Sequence, residues 1–236
     1  MPTIPLQASQ LVVTTIFNSI ESLGFNNIAD KVFSDEQAES RQEANLNVST
    51  KKFYTQGLKN LAQQDLHGAI KNFTATININ PQFASAYNDR GVARYKLGYK
   101  QSAIEDLTTA IELNPYRAKY HSNRGFMLTR LKNYTAAIAD YNSALLLNPN
   151  LAKTYFKRGT INLKIDDLVA AMADFESAIR INPDFGKAYF NRGITKYKLR
   201  DVQGGFEDFQ KASELFKQQG KIEDHYDAVA KIKQLW

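Results

Sequence analysis

The sequence is poor in the residues that usually build catalytic and metal sites. It has no cysteine, only three histidines and a single tryptophan. The absence of cysteine excludes a disulfide framework and a thiolate site. The histidines are far apart and show no metal-ligand spacing, and no glycine-rich phosphate loop is present. We therefore expect a protein without catalytic activity, without a cofactor and without a bound metal.

Long apolar runs and a strong excess of one charge are also missing. No stretch of about 18 consecutive apolar residues occurs, so the sequence predicts no membrane-spanning helix. The chain carries 30 Lys and Arg against 24 Asp and Glu, which gives a formal net charge of +6. This excess is smaller than we expect for a dedicated nucleic-acid-binding protein, although it favours acidic partners in general.

What the sequence does contain is a pattern that repeats every 34 residues. Four of its six prolines keep this spacing, and so do series of glycines and alanines. A fixed period between about 20 and 50 residues is typical of stacked repeat arrays rather than of a single globular core. The series are Pro81, Pro115, Pro149 and Pro183; Gly57, Gly91, Gly125, Gly159 and Gly193; and Ala69, Ala103, Ala137 and Ala171.

Each period contains two segments with helical spacing. In the unit 84–117, apolar residues recur three and four positions apart in both halves. Gly91 and Ala103 carry no bulky side chain where we expect the two helices to approach closely, and Leu107 fills the space beside them. Pro115 ends the second helix, because proline cannot continue a helix and disfavours helical geometry in the asparagine before it.

This pattern resembles the tetratricopeptide repeat, in which an aromatic residue, a glycine four places on, alanines and a proline recur in the same frame. The resemblance implies an all-α, right-handed solenoid of five helix–turn–helix repeats, of a bacterial type. Departures are few: His121 replaces the early aromatic residue of the third unit, and Lys217 stands in place of the last proline. The five units are 50–83, 84–117, 118–151, 152–185 and 186–219.

A second regularity links the two helices of each unit. In units two to five an arginine precedes the glycine and an aspartate follows 16 residues later, whereas the first unit has the amides Gln56 and Asn72 at these places. Because both ends change together, we expect contacts between helices, within a unit or across a neighbouring seam. The predicted structural ion pairs are Arg90–Asp106, Arg124–Asp140, Arg158–Asp174 and Arg192–Asp208.

The segments outside the repeats have amphipathic or acidic character. Residues 1–33 predict a helical extension that packs on the first repeat, binds a partner, pairs two copies of the chain or lies on a membrane surface. Residues 34–49 predict an acidic linker, which in one alternative occupies the groove described below until a partner displaces it. Residues 220–236 predict a C-terminal capping helix that covers the apolar face of the last repeat.

The resemblance also places the first helix of each unit on the inner wall of a groove. Lysine or arginine recurs there at two places per unit, opposed only by Asp89, whereas most acidic residues fall on second helices. A concave surface with one sign of charge attracts the opposite charge, and asparagine amides suit the backbone of an extended peptide. The predicted peptide-binding residues are Lys119, Asn123, Phe126, Arg130, Lys153, Phe156, Lys157, Lys164, Lys187, Phe190, Asn191 and Lys198.

The sequence therefore predicts a non-catalytic adaptor or scaffold that binds an acidic or extended segment of another protein, in the manner of an assembly factor. RNA binding along the same groove is the alternative, because basic and aromatic residues alternate there. The family's carboxylate clamp for C-terminal peptides is incomplete, since Asn88 and Val92 stand where its first lysine and asparagine are expected. We expect a cytoplasmic protein that meets a membrane only through a membrane complex.

Overall fold

The structure is a computed structural model that describes residues 47–234. Within this range it contains eleven α-helices and no strand. The predicted N-terminal extension (1–33), residues 34–46 of the predicted linker, and Leu235 and Trp236 of the predicted capping helix lie outside the described residues. The helices are α1 (Val48–Ala62), α2 (Leu66–Ile79), α3 (Ala84–Lys96), α4 (Lys100–Leu113), α5 (Ala118–Arg130), α6 (Tyr134–Leu147), α7 (Ala152–Lys164), α8 (Leu168–Ile181), α9 (Gly186–Lys198), α10 (Val202–Gln218) and α11 (Ile222–Gln234).

The helices form five pairs followed by a single helix. The two helices of a pair pack most extensively on each other, and each second helix also packs on the first helix of the next pair. First helices of successive pairs contact one another more than second helices do, so the first helices lie on the inner side of a curved stack. The all-α repeat solenoid predicted from the sequence is confirmed.

The last pair differs from the others at its end. α10 has 17 residues, whereas α8 has 14, because Lys217 stands where proline ends the earlier second helices. Gly220, with φ of 68°, follows the end of α10 and reverses the chain. α11 then packs on α10 and buries Phe216 and Ala228 between them. The array therefore ends with a helix that covers the apolar face of α10.

The close approach of paired helices depends on the repeated glycine of the first helix. A Cβ atom added at Gly159 would lie 2.9 Å from Cε1 of Phe175 and 2.9 Å from Cβ of Asp174 on the facing helix. The large side chain thus fills the space that the glycine leaves, as the sequence predicted. The residues in this place in the other pairs are Phe73, Leu107, Tyr141 and Phe209, all of them buried.

The predicted arginine–aspartate pairs join the two helices of units two to five, with nitrogen–oxygen distances of 2.6–2.8 Å. Three of the arginines, Arg90, Arg124 and Arg158, also donate to the preceding unit. Nη1 of Arg90 donates to Oγ1 of Thr74 at 3.2 Å, and Nη1 of Arg158 donates to Oδ1 of Asn142 at 2.6 Å. Each of these guanidinium groups therefore connects three helices, within a unit and across the seam.

The first unit replaces this ion pair with an amide network. Gln56 and Asn72 both donate to Oδ1 of Asn60, at 2.9 and 3.3 Å. The two amides that change together in the sequence therefore meet through Asn60. A neutral network avoids the cost of removing two charges from water at the end of the array.

His121 changes the balance of charge in the third unit. Burial alone would raise the pKa of the Asp140 carboxyl, but hydrogen bonds from Arg124 and the charges of Arg124 and His121 hold that pKa below its ordinary value. In the next unit, burial raises the pKa of Asp174 by more than Arg158 lowers it. Because Nδ1 of His121 lies 3.8 Å from Oδ1 of Asp140, this departure from the repeat pattern adds a second cationic neighbour when it is protonated.

The asparagine before each proline ends the second helix through its side chain. Oδ1 of Asn114 accepts a hydrogen bond from the backbone N–H of Tyr116 at 3.2 Å, which bridges the proline between them. This local bond competes with helix continuation and favours the turn. The same bond forms at Asn80, Asn148 and Asn182.

The turn inside each pair places one residue in the left-handed region. Gly98 has φ of 91°, but the four equivalent residues are not glycine and have φ between 62° and 70°. A residue with a Cβ atom in this region costs about 1–2 kcal/mol. The four strained positions are Gln64, Lys132, Asp166 and Arg200.

We predict that Gly159→Ala destabilises the protein by about 1–2 kcal/mol, because overpacking outweighs the gain in helix propensity. Urea unfolding of the full chain would measure the change. The exposed Glu176→Ala on α8 is the control and should shift stability by less than about 0.5 kcal/mol. Equal stability of Gly159→Ala and wild type would show that this contact does not limit the helix separation.

We predict that Lys132→Gly stabilises the protein by about 0.5–1 kcal/mol. The substitution removes left-handed strain, and this gain is larger than the entropy that glycine loses on folding. Gly98→Ala at the equivalent position should destabilise the protein. The same unfolding measurement tests both variants. A loss of stability in Lys132→Gly would contradict the assignment of strain to this turn.

Candidate functional site

The twelve predicted peptide-binding residues all lie on α5, α7 and α9, the first helices of three successive units. The structure divides them into three groups. One group surrounds a pocket between the third and fourth units, and a second lines a smaller hollow between the fourth unit, the fifth unit and α11. The third group lines neither cavity and consists of Phe126, together with Arg130, Lys164 and Lys198 at the C-terminal ends of the helices.

The larger cavity, which we call the seam pocket, has a volume of about 430 Å³. It opens between the N-terminal ends of α5 and α7 and includes the loop that joins α6 to α7. None of its described lining residues is Asp or Glu. Its polar lining comes from Arg117, Lys119, Ser122, Asn123, Asn148, Lys153, Thr154 and Lys157, with Tyr116 also present.

Lys157 is the most constrained cation of the seam pocket. Its ammonium lies 4.9 Å from the ring centroid of Phe126, which is a cation–π contact. Burial lowers the pKa of Lys157, and the charge of the neighbouring Lys153 lowers it further. The ring thus partly replaces a missing counterion, and an incoming anion would relieve the remaining cost of the buried charge.

Asp89 is the acidic residue on this basic wall, and its carboxylate accepts hydrogen bonds from α1 and from its own unit. It is buried, and it accepts hydrogen bonds from the Tyr54 hydroxyl at 2.8 Å and from Nδ2 of Asn88 at 2.7 Å. Nζ of Lys119 approaches Asp89 at 3.4 Å, while the Lys119 side chain stays 63% exposed. Asp89 therefore neutralises only part of the lysine charge.

The two predicted amides donate to the preceding first helix. Nδ2 of Asn123 bonds Oδ1 of Asn88 at 2.8 Å, and Nδ2 of Asn191 bonds Oγ1 of Thr160 at 3.3 Å. Each amide thus uses a donor to hold adjacent units together. The second N–H and the carbonyl oxygen of each amide are the groups that a peptide backbone would bind.

The smaller cavity, which we call the terminal hollow, has a volume of about 200 Å³. Its apolar lining is only partly free, because Phe156 packs on Phe185 with ring centroids 4.8 Å apart and Phe190 packs on Phe209 at 5.5 Å. These aromatic residues therefore combine the predicted binding surface with packing inside the helix stack. The lining consists of Phe156, Lys187, Phe190, Asn191, Phe216, Asp224 and Asp227.

α11 gives the terminal hollow an acidic side that the sequence reasoning missed. Oδ2 of Asp224 lies 3.4 Å from Nζ of Lys187, so this lysine is already paired. The sequence predicted α11 only as a solubilising cap. Its acidic residues could have been recognised as groove residues from the packing of α11 on α10, which matches that of a further first helix, but the 34-residue frame ends before α11.

The three remaining predicted cations have separate surroundings. Nζ of Lys198 pairs with Oδ1 of Asp166 at 2.6 Å, and Nζ of Lys164 lies 5.5 Å from the ring centroid of Tyr134. Arg130 is exposed at the end of α5. The structure therefore does not bring these residues together with the seam pocket, and the basic charge concentrates around Lys119, Lys153 and Lys157.

Family models of the tetratricopeptide repeat match residues 84–117, 118–151 and 152–185, which contain α3 to α8. Residues 84–185 are three tetratricopeptide repeats in succession. This repeat is a protein-interaction module, so the protein is an interaction adaptor in general terms. No curated protein sequence matches the chain.

Solved structures with a similar fold include other tetratricopeptide repeat (TPR) proteins. A crystal structure of MamA is 24% identical, covers 73% of this chain and 94% of its own, and has a TM-score of 0.65. YrrB, described as a TPR protein with an unusual peptide-binding site, is 18% identical over 77% of this chain and 90% of its own, with a TM-score of 0.64. PilF of Pseudomonas aeruginosa is 18% identical over 80% and 92%, with a TM-score of 0.65. These likenesses establish the fold.

Two further observations concern the part of the chain between residues 47 and 234. No helix there combines the length and apolar character that crossing a bilayer requires. The same part of the chain contains no group of three or more His, Asp or Glu side chains arranged to hold a metal ion.

We predict that Lys157→Met stabilises the protein at pH 7 by about 0.5–1 kcal/mol, because it removes a half-buried charge beside Lys153. The folded-state pKa of Lys157 is depressed, so the cost of its charge is present at neutral pH and fades as the pH rises through that pKa. Urea unfolding at pH 7 and at pH 10 should therefore show a smaller difference at the higher pH. The exposed Lys71→Met on α2 is the control; equal gains in both variants would contradict this account.

Proposed function

We propose that the protein is a non-catalytic adaptor that binds an acidic, extended segment of a partner protein along the inner faces of α5, α7 and α9. The observation that carries the proposal is the seam pocket, where Lys119, Lys153 and Lys157 face a cavity with no acidic residue in its described lining. Charge concentrated in a concave surface attracts the opposite charge and speeds its association.

The shape of the groove favours an extended segment. The seam pocket and the terminal hollow use residues of successive first helices, so one chain could reach both by passing along α7. Apolar edges of Phe156 and Phe190 would receive side chains of the ligand, while Asp224 at the far end would repel further acidic residues. The description of YrrB as having a peptide-binding site is consistent with a peptide ligand on this fold.

The expectations of an assembly-factor role, of a cytoplasmic location and of pairing through the N-terminal helices stay predictions. The assembly-factor role would follow if the bound segment belongs to a subunit of a larger complex.

The test is selection of random 12-residue peptides displayed on phage against the full chain, followed by affinity measurement with labelled peptides. We expect acidic peptides to be enriched. Substitution of Lys153, Lys157 and Lys187 by Ala should weaken their binding at least about tenfold and reduce its salt dependence, because charge pairs are lost.

The matched control is alanine at Lys71, Lys211 and Lys217, which removes the same charge from the second helices α2 and α10. This variant should bind the selected peptides nearly as well as wild type. Equal losses in both triple variants would show that net charge alone controls binding and would contradict the groove assignment. Retention of a labelled single-stranded RNA at low salt, with no peptide enrichment, would favour the RNA alternative.

A further inference from the structure

The seam pocket contains more positive charge than a simple carboxylate requires. Lys153 is exposed, and Lys157 has an aromatic ring rather than a carboxylate as its nearest described partner. Lys119 is 63% exposed and lies 3.4 Å from Asp89, whose oxygens already accept bonds from neutral donors. Arg117 lines the same cavity. The three lysines thus converge with little neutralisation from the described carboxylates.

Several directional donors beside these cations are already engaged. Asn123 donates to Asn88, and Asn88 in turn donates to Asp89 at 2.7 Å. The hydroxyls of Ser122 and Thr154 bond each other at 3.0 Å. The ammonium groups of Lys119, Lys153 and Lys157, together with the guanidinium of Arg117, are therefore the main charged donors of the pocket. The ammonium groups act as point charges with rotatable N–H groups, so their attraction grows with the charge of the ligand, and a phosphate with a charge of about −1.5 to −2 is favoured over a singly charged carboxylate.

We propose that the seam pocket binds the phosphate group of a phosphorylated serine or threonine in the partner segment. A phosphate carries a charge of about −1.5 to −2 at neutral pH and three strong acceptor oxygens, which suit the three lysines. The cavity of about 430 Å³ leaves room for the flanking backbone of the ligand. This inference rests on the proposed peptide-binding function and names the chemistry that the partner must carry.

The geometry favours a phosphopeptide over the phosphates of RNA. Non-specific RNA binding needs open aromatic faces on which bases stack. The face of Phe126 is covered by the Lys157 ammonium at 4.9 Å, and its ring packs against that of Tyr95 with centroids 5.7 Å apart. The Phe126 ring is therefore already used to hold a cation and to pack on Tyr95.

The test compares three labelled 12-residue peptides of alanine and glutamate that differ only at a central position, which is phosphoserine, serine or glutamate. Fluorescence anisotropy with the full chain should show that the phosphoserine peptide binds about tenfold more tightly than the serine peptide and more tightly than the glutamate peptide. Lys153→Gln/Lys157→Gln should abolish this preference. Lys187→Gln, which lies in the terminal hollow, should weaken all three peptides and keep the preference.

The outcomes separate this inference from the proposed function. Equal binding of the three peptides would overturn the phosphate site and leave the acidic-peptide groove standing. Binding of none of them would overturn both. A phosphate preference that survives Lys153→Gln/Lys157→Gln would place the site elsewhere and overturn the assignment. A single-stranded oligoribonucleotide that displaces the phosphoserine peptide and binds more tightly would overturn the peptide assignment in favour of RNA.

A second readout does not depend on peptide affinity. The NMR titration of the Lys157 side chain should show that its pKa rises when the phosphoserine peptide is added, because a bound dianion favours the protonated ammonium. Addition of the serine peptide should leave that pKa nearly unchanged. An unchanged pKa with saturating phosphoserine peptide would show that the phosphate does not reach this pocket.

Discussion

The contact between a glycine on each first helix and a large side chain on the facing helix sets the geometry of the whole array. It fixes how closely two helices approach, and because the contact recurs in every unit, it fixes the curvature that accumulates from one unit to the next. The groove exists only because the first helices converge on one side. A small local requirement, the absence of one Cβ atom, therefore determines the shape of a surface that several units build together.

The distribution of charge follows from the same packing. The aspartates of second helices are buried in pairs with arginines, three of which also reach the preceding unit, so these acidic groups hold helices together and are not available to neutralise the inner wall. Replacement of one partner would leave the other charge buried and unpaired, which is costly. The lysines of the seam pocket are consequently neutralised only in part by neighbouring carboxylates. The pocket is therefore strongly basic although the net charge of the chain is only +6.

The repeat period made the fold predictable from the sequence, whereas the site was predictable only in outline. The 34-residue spacing located the helices, the glycine contacts and the ion pairs, because each depends on neighbours at a fixed distance along the chain. The partners of Lys187 and Lys198 were missed, since Asp224 lies outside the repeat frame and Asp166 stands at a turn position that is not acidic in other units. The repeat frame therefore predicted on which helix a residue lies, but it did not predict which side chains that residue contacts.

The place of the seam pocket along the stack has a consequence for its durability. In a linear array each unit is held by its neighbours, so opening begins at the ends, where one neighbour is missing, and spreads inward. The third and fourth units have helix pairs on both sides. Their backbone amides should exchange with solvent more slowly than those of α11, which packs mainly on α10, so the ligand surface would persist while α11 opens and closes.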